Sequence, residues 1–174
     1  LPSTTRQIVE PGYINVMIEI ALAEADLKNS AKAKDTLKEV TQAAHTLLNS
    51  QERSLAYVAL AKAWGAAEDY VVAEELLKQA QENIESVEKT SGKLKVMRGI
   101  ACTYASMPQQ NLAQEARKAI TKMRELLAET SDFEKIDAFL DLANAQHEIG
   151  DTSRANQTLT EALNSIAVST FPEA

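Results

Sequence analysis

The sequence predicts an all-α fold built as an array of stacked helix pairs. Three observations predict it. Apolar residues recur at spacings of three and four along almost the whole chain, which is the helical period, and no strand-like alternation interrupts them. A short pattern, a branched aliphatic followed by Ala and then a small residue two positions on, appears four times. Its copies are Ile20-Ala21-Leu22-Ala23, Leu60-Ala61-Lys62-Ala63, Ile100-Ala101-Cys102-Thr103 and Leu142-Ala143-Asn144-Ala145, at steps of 40, 40 and 42 residues. Alanines then repeat at the same steps further on, at Ala33, Ala73, Ala113 and Ala155. A fixed period of this size marks a repeat array, in which each unit buries its apolar face against a neighbour.

The elements follow in order. Residues 1–12, with Pro2 and Pro11-Gly12, are expected to be an extended or loosely helical N-terminal extension. The first pair spans about 13–49. Its first helix carries Ile14, Met17, Ile18, Ala21, Leu22 and Ala25 on one wide stripe. Lys28-Asn29-Ser30 breaks it, and the second helix carries Ala33, Leu37, Val40, Ala44 and Leu47. Asn49-Ser50-Gln51 closes the pair.

The second pair spans about 52–88 and breaks near Glu68-Asp69. Thr90-Ser91-Gly92 then reads as the clearest linker. The third pair, about 92–129, breaks at Pro108, because proline lacks an amide hydrogen and clashes with the preceding turn. Its second helix holds a misfit. Four residues after Ala33, Ala73 and Ala155 stand leucines, but four after Ala113 stands Arg117. A shift of three residues gives Ala116, Ile120, Met123 and Leu127, restores an apolar face, and predicts a longer turn around Pro108-Gln109-Gln110-Asn111. The fourth pair, about 132–168, opens on Ser131 with Glu134 three residues on, a capping-box signal. It breaks at Gly150-Asp151, where glycine can take the left-handed conformation that ends a helix. It resumes through Ala155, Leu159, Ala162, Leu163 and Ile166, and residues 169–174 are a tail expected to fray.

These positions resemble the tetratricopeptide repeat. The best copy is Leu60-Ala61-x-Ala63-Trp64, Glu68-Asp69-Tyr70, Ala73, Leu77 and Ala80. The fourth copy keeps Leu142, Ala143, Ala145, Gly150-Asp151, Ala155, Leu159 and Ala162. The slot that is aromatic in the family holds Glu24, Trp64, Tyr104 and Gln146 in the four copies. The period near 40 resembles the longer-helix relatives of that family, whose usual period is about 34. The resemblance covers roughly 13–168 as a single domain. It implies a right-handed α-solenoid of four antiparallel pairs, eight helices in all, whose first helices line a concave groove. It also implies that Trp64 and Tyr104 are packing residues within the pairs. A bundle of four long helices is the competing fold, and the turn signals inside each pair weigh against it.

The same resemblance places Ile18, Leu22, Leu55, Val58, Lys62, Lys95, Arg98, Leu140 and Asn144 on the groove, as partner-binding candidates. Ile18 and Leu22 stand where family members that clamp a C-terminal carboxylate carry Lys and Asn, so that clamp is not preserved. Charge is uneven along the chain. Residues 50–89 carry 4 basic and 8 acidic side chains, 90–130 carry 7 and 3, and 131–174 carry 2 and 8. Complementary packing between neighbouring pairs accounts for this band, and so does an acidic partner segment meeting Lys62, Lys95 and Arg98.

The totals bound the function. The formal net charge of −7 disfavours nonspecific nucleic-acid binding. No run of 18 apolar residues spans a membrane. The single cysteine, Cys102, excludes an intrachain disulfide. His45 and His147 lie far apart, with no paired metal-ligand spacing, and no phosphate loop or nucleophile elbow occurs. The expectation is a noncatalytic interaction scaffold, without metal or cofactor, that holds a peptide or helix of another protein in its groove. A self-associating homo-oligomeric module remains open, as does a regulatory domain excised from a larger protein. The chain begins Leu1-Pro2, so a removed signal peptide is compatible with it. The cytoplasm is favoured, with a secreted or periplasmic location open.

Overall fold

The structure is a computed structural model that describes residues 10–109, 112–130 and 132–170. Among the described residues it is all-helical and has no strand. The helices are α1 (Pro11–Asp26), α2 (Ser30–Ala44), α3 (Ser50–Ala66), α4 (Tyr70–Asn83), α5 (Thr90–Ser106), α6 (Leu112–Ala128), α7 (Asp132–Glu148) and α8 (Thr152–Thr170), with one 3-10 turn at Ile84–Ser86. The chain divides into two compact units, the first reaching Asn83 and the second starting at Ile84.

In the first unit α1 packs on α2 and α3 on α4, and α3 also packs against both α1 and α2. In the second unit α5 packs on α6 and α7 on α8, and α7 also packs against both α5 and α6. In the first unit each second helix contributes one narrow stripe. Ala33, Leu37, Val40 and Ala44 are buried on α2, and Ala73, Leu76, Leu77 and Ala80 on α4. The alanines let helix backbones approach closely. Polar side chains then tie one pair to the next. In the first unit Lys34 Nζ lies 3.4 Å from Asp69 Oδ2, and Trp64 Nε1 donates to Thr41 Oγ1 at 3.3 Å. Arg53 on α3 donates to the Leu47 carbonyl at 3.0 Å and to Asn83 Oδ1 at 2.9 Å, which fastens the turn after α2 and the end of α4.

Three of the four pairs close with the same turn. The residue just past the first helix, Lys28, Glu68 or Gly150, has a positive φ of 58°, 60° or 81°. Its amide donates to a carbonyl three residues back, Ala25, Gly65 or His147. The next amide, from Asn29, Asp69 or Asp151, reaches five residues back to Glu24, Trp64 or Gln146 at 2.8–2.9 Å. This double bond pattern is the Schellman closure, which satisfies carbonyls the helix end leaves unpaired.

The third pair places Pro108 at the equivalent position. Proline fixes φ near −65° and has no amide hydrogen, so it can supply neither the left-handed residue nor its bond. Met107 is accordingly extended, and α6 starts at Leu112, four residues after Pro108, where α2, α4 and α8 start two residues after the turn residue. The inward face moves by the three residues the sequence predicts. Ala116, Ile120, Met123 and Leu127 are buried, and Arg117 is exposed. Ala113 is exposed too, so it is not the structural partner of Ala33, Ala73 and Ala155.

Several boundaries differ from the sequence reading. Pro11 and Gly12 open α1 instead of preceding it, since a missing amide hydrogen costs nothing at the first helical position. Thr90-Ser91-Gly92 forms the first turn of α5, not a linker, because amides there have no intrahelical partner in any case. Asn49 is the N-cap of α3, accepting from the Glu52 amide at 3.0 Å, and Ser50-Gln51 lie inside the helix. Helix α8 continues to Thr170. The expected Ser131 cap, the side chain of Ile166, Gln110-Asn111 and residues 1–9 and 171–174 lie outside what the structure describes.

Left-handed backbone costs a residue with a Cβ about 1–2 kcal/mol, part of which glycine gives back as unfolded-state entropy. Lys28→Gly and Glu68→Gly should therefore each raise stability by about 0.5–1 kcal/mol, and Gly150→Ala should lower it by about 1 kcal/mol. Urea titration followed by circular dichroism checks all three.

Candidate interaction faces

The site candidates separate by unit. In the first unit Ile18 on α1 and Val58 on α3 are buried, Leu22 and Leu55 are half-buried, and Lys62 is exposed. In the second unit α5 and α7 lie side by side. Lys95 on α5 is exposed, as are Leu140 and Asn144 on α7, and Arg98 is half-buried between charged neighbours. Helical spacing puts Asp137, Leu140, Asp141 and Asn144 on one side of α7.

Arg98 Nη1 meets Asp141 Oδ1 at 3.2 Å. The basic residue proposed for an acidic partner therefore has a carboxylate within its own unit. Asp141 is the more enclosed of the two, its side chain 16% exposed against 43% for Arg98. Burial pushes its carboxyl above the ordinary range. Arg98 and then Lys95 pull it down, Asp137 adds a small upward push, and burial wins. The pair thus aligns α5 with α7 without repaying the whole cost of desolvating the carboxylate.

Two arrangements escaped the sequence reading. The first concerns the equivalent positions Glu24, Trp64, Tyr104 and Gln146. Trp64 and Tyr104 are buried there, and the residues twelve positions later are the buried, apolar Leu76 and Ala116. Where the slot is polar, a threonine stands twelve positions later. Thr36 Oγ1 donates to Glu24 Oε2 at 2.9 Å, and Thr158 Oγ1 donates to Gln146 Oε1 at 2.7 Å. Lys32 adds an ion pair to Glu24 at 2.9 Å and holds its carboxyl below the ordinary range. Arg124 on α6 donates to Thr158 Oγ1 at 3.2 Å and pairs with Glu161 at 3.5 Å, linking α6 to α8. The sequence signal was a spacing of twelve, visible only once Glu24 and Gln146 are treated as paired positions.

The second is His45 with Tyr57. His45 Nδ1 and the Tyr57 hydroxyl are 2.7 Å apart, with the rings edge to face at a 5.3 Å centroid distance. Burial raises the Tyr57 hydroxyl's pKa, with Arg53 opposing. The contact joins the end of α2 to α3. Cys102 is half-buried on α5. Among the described residues no three His, Cys, Asp or Glu side chains gather where they could hold a metal, and no helix is long and apolar enough to cross a membrane. No protein-family model matches the chain, and neither a curated protein nor a solved structure matches it.

Two outcomes follow. Asp141 titrates higher in the folded chain than unfolded, so its contribution to stability is full at low pH and is lost as pH rises through the folded value. Asp141→Asn should match the wild type in acid and be at least as stable at neutral pH, as denaturation at a series of pH values will show. At the polar slot, Thr158→Val should cost about 1–3 kcal/mol by leaving the buried Gln146 oxygen without its donor, and adding Gln146→Leu should recover most of that. A double-mutant cycle by urea denaturation measures the coupling.

Proposed function

We propose that the chain is a noncatalytic protein–protein interaction scaffold of the tetratricopeptide-like class. In this reading its helix pairs run antiparallel and stack as a right-handed α-solenoid, and the exposed side of the first helices receives a peptide or helix of another protein. Short turns within each pair support the antiparallel arrangement. The packing of α3 on α1 and α2, and of α7 on α5 and α6, supports the stacking.

One observation carries the reading furthest. Adjacent first helices α5 and α7 present an exposed cation, an exposed aliphatic and an exposed amide, Lys95, Leu140 and Asn144, around the fixed Arg98–Asp141 pair. Such a surface offers apolar area with polar groups to set register, which is what recognition of a peptide segment uses. Lys95 then steers an acidic segment, while Arg98, already paired, mainly holds the two helices in place. Exposed charge pairs contribute only about 0–1 kcal/mol, so Lys95 governs encounter and salt dependence more than affinity.

Affinity capture from the native source with cross-linking identifies the partner and the face it uses. On that partner, Leu140→Glu should weaken binding at least about tenfold, and Lys95→Glu should slow association and flatten its salt dependence. Binding unchanged by both substitutions excludes this face.

A further inference from the structure

The repeated motif contains an inconsistency that points to a second surface. Its aliphatic residue is fully buried in the second and fourth copies, Leu60 and Leu142, yet Ile20 in the first copy is 43% exposed. The same holds along one stripe of α1. Val16 and Leu27 are 60% and 81% exposed, while the residues forty positions later, Ala56 and Ala67, are 7% and 2% exposed. Ala23 is exposed, and Ala63 and Ala145 are buried. In α3 this stripe belongs to a helix packed on a preceding pair within its own unit, and so does its equivalent in α7. On α1 the stripe has the sequence of a stacking face, and among the described residues of its own unit no preceding pair lies against it.

The last pair has the matching exposure on its other side. Leu159 and Leu163 on α8 and Ile136 on α7 are exposed. Their first-pair equivalents are Leu37 and Ile14, both buried, and Thr41, which accepts the hydrogen bond from Trp64 of the pair that follows it. The position that Leu163 occupies is thus one that faces a following pair in the first unit.

We propose that the chain associates head-to-tail with a second copy of itself, the α1 stripe of one copy seating on the α7–α8 face of the other. The contact continues the interface by which α3 seats on α1 and α2. The repeat register also predicts its polar edge. The Lys34–Asp69 bridge of the first unit becomes Asn156 opposite Asn29, two exposed amides that can hydrogen-bond each other and place no like charges together. Because the two faces differ, the contact is heterologous, and it propagates unless the rotation between copies closes a ring. The proposal uses none of the residues on which the groove reading rests, so either can fail alone.

Sedimentation velocity over a concentration series tests it. The wild type should gain mass with concentration. Val16→Glu with Ile20→Glu, which disables the α1 face, and Leu163→Glu, which disables the α8 face, should each weaken self-association by about 100-fold or more while leaving the circular dichroism spectrum unchanged. Leu27→Asp serves as an independent α1-face variant. A mixture of the two disabled chains should form a 1:1 heterodimer and nothing larger, since each retains the face the other lacks. A wild type that stays monomeric up to about 1 mM overturns the proposal. So does an α1-face variant that still self-associates, or a mixture in which no heterodimer forms.

Discussion

The turn that closes each pair is the constraint from which the rest follows. One residue past the first helix must adopt a positive φ, so that two successive amides can reach back into the helix. Where that happens, at Lys28, Glu68 and Gly150, the second helix starts two residues later and presents its alanine five residues later, at Ala33, Ala73 and Ala155. A single backbone torsion thereby sets which side of the second helix is buried. The third pair shows the dependence by breaking it. Pro108 cannot take that torsion, the turn lengthens, and the buried face moves from Ala113 and Arg117 to Ala116 and Ile120. The displaced register still buries a complete stripe, because the sequence of α6 compensates for the proline three residues out of step.

A second dependence acts inside the pairs. The slot at Glu24, Trp64, Tyr104 and Gln146 and the residue twelve positions later change character together. Where the slot is aromatic, the later position is the buried, apolar Leu76 or Ala116, and where it is polar, the side chain bonds to Thr36 or Thr158. A buried polar group without a partner costs more than an apolar replacement, so the threonines are what allow two copies to depart from the aromatic pattern. The Gln146 copy carries more consequence than the Glu24 copy, because Arg124 extends its network from α6 into α8.

Much of the architecture was legible in the sequence, for a physical reason. Helical period, alanine spacing and turn residues all act locally, and each leaves its mark within a few positions. The shifted face of α6 could even be read from the misfit of Arg117. Helix starts were less legible. Pro11-Gly12 and Thr90-Ser91-Gly92 have loop composition, yet they occupy first turns, where the backbone's missing bonds make such residues acceptable. The site was legible only as a set of positions. That Lys95 and Leu140 are exposed and Ile18 and Val58 buried depends on which helix covers which, a fact carried by no local pattern. The Arg98–Asp141 pair joins residues on separate helices, and charge counts alone could not distinguish it from two free charges.

The uncovered stripe of α1 also bears on how the first unit holds together in time. Helix α3 has neighbours on both sides of its pattern, from α4 and from the α1–α2 pair, whereas α1 has its aliphatic stripe in water. Opening α1 therefore exposes less apolar surface than opening α3, and local opening free energies follow the surface exposed. The backbone amides of α1 consequently belong to a less protected cooperative layer than those of α3, although the two helices carry the same motif. Identical sequence signatures thus mark segments of unequal persistence, and what separates them is the number of helices each one touches.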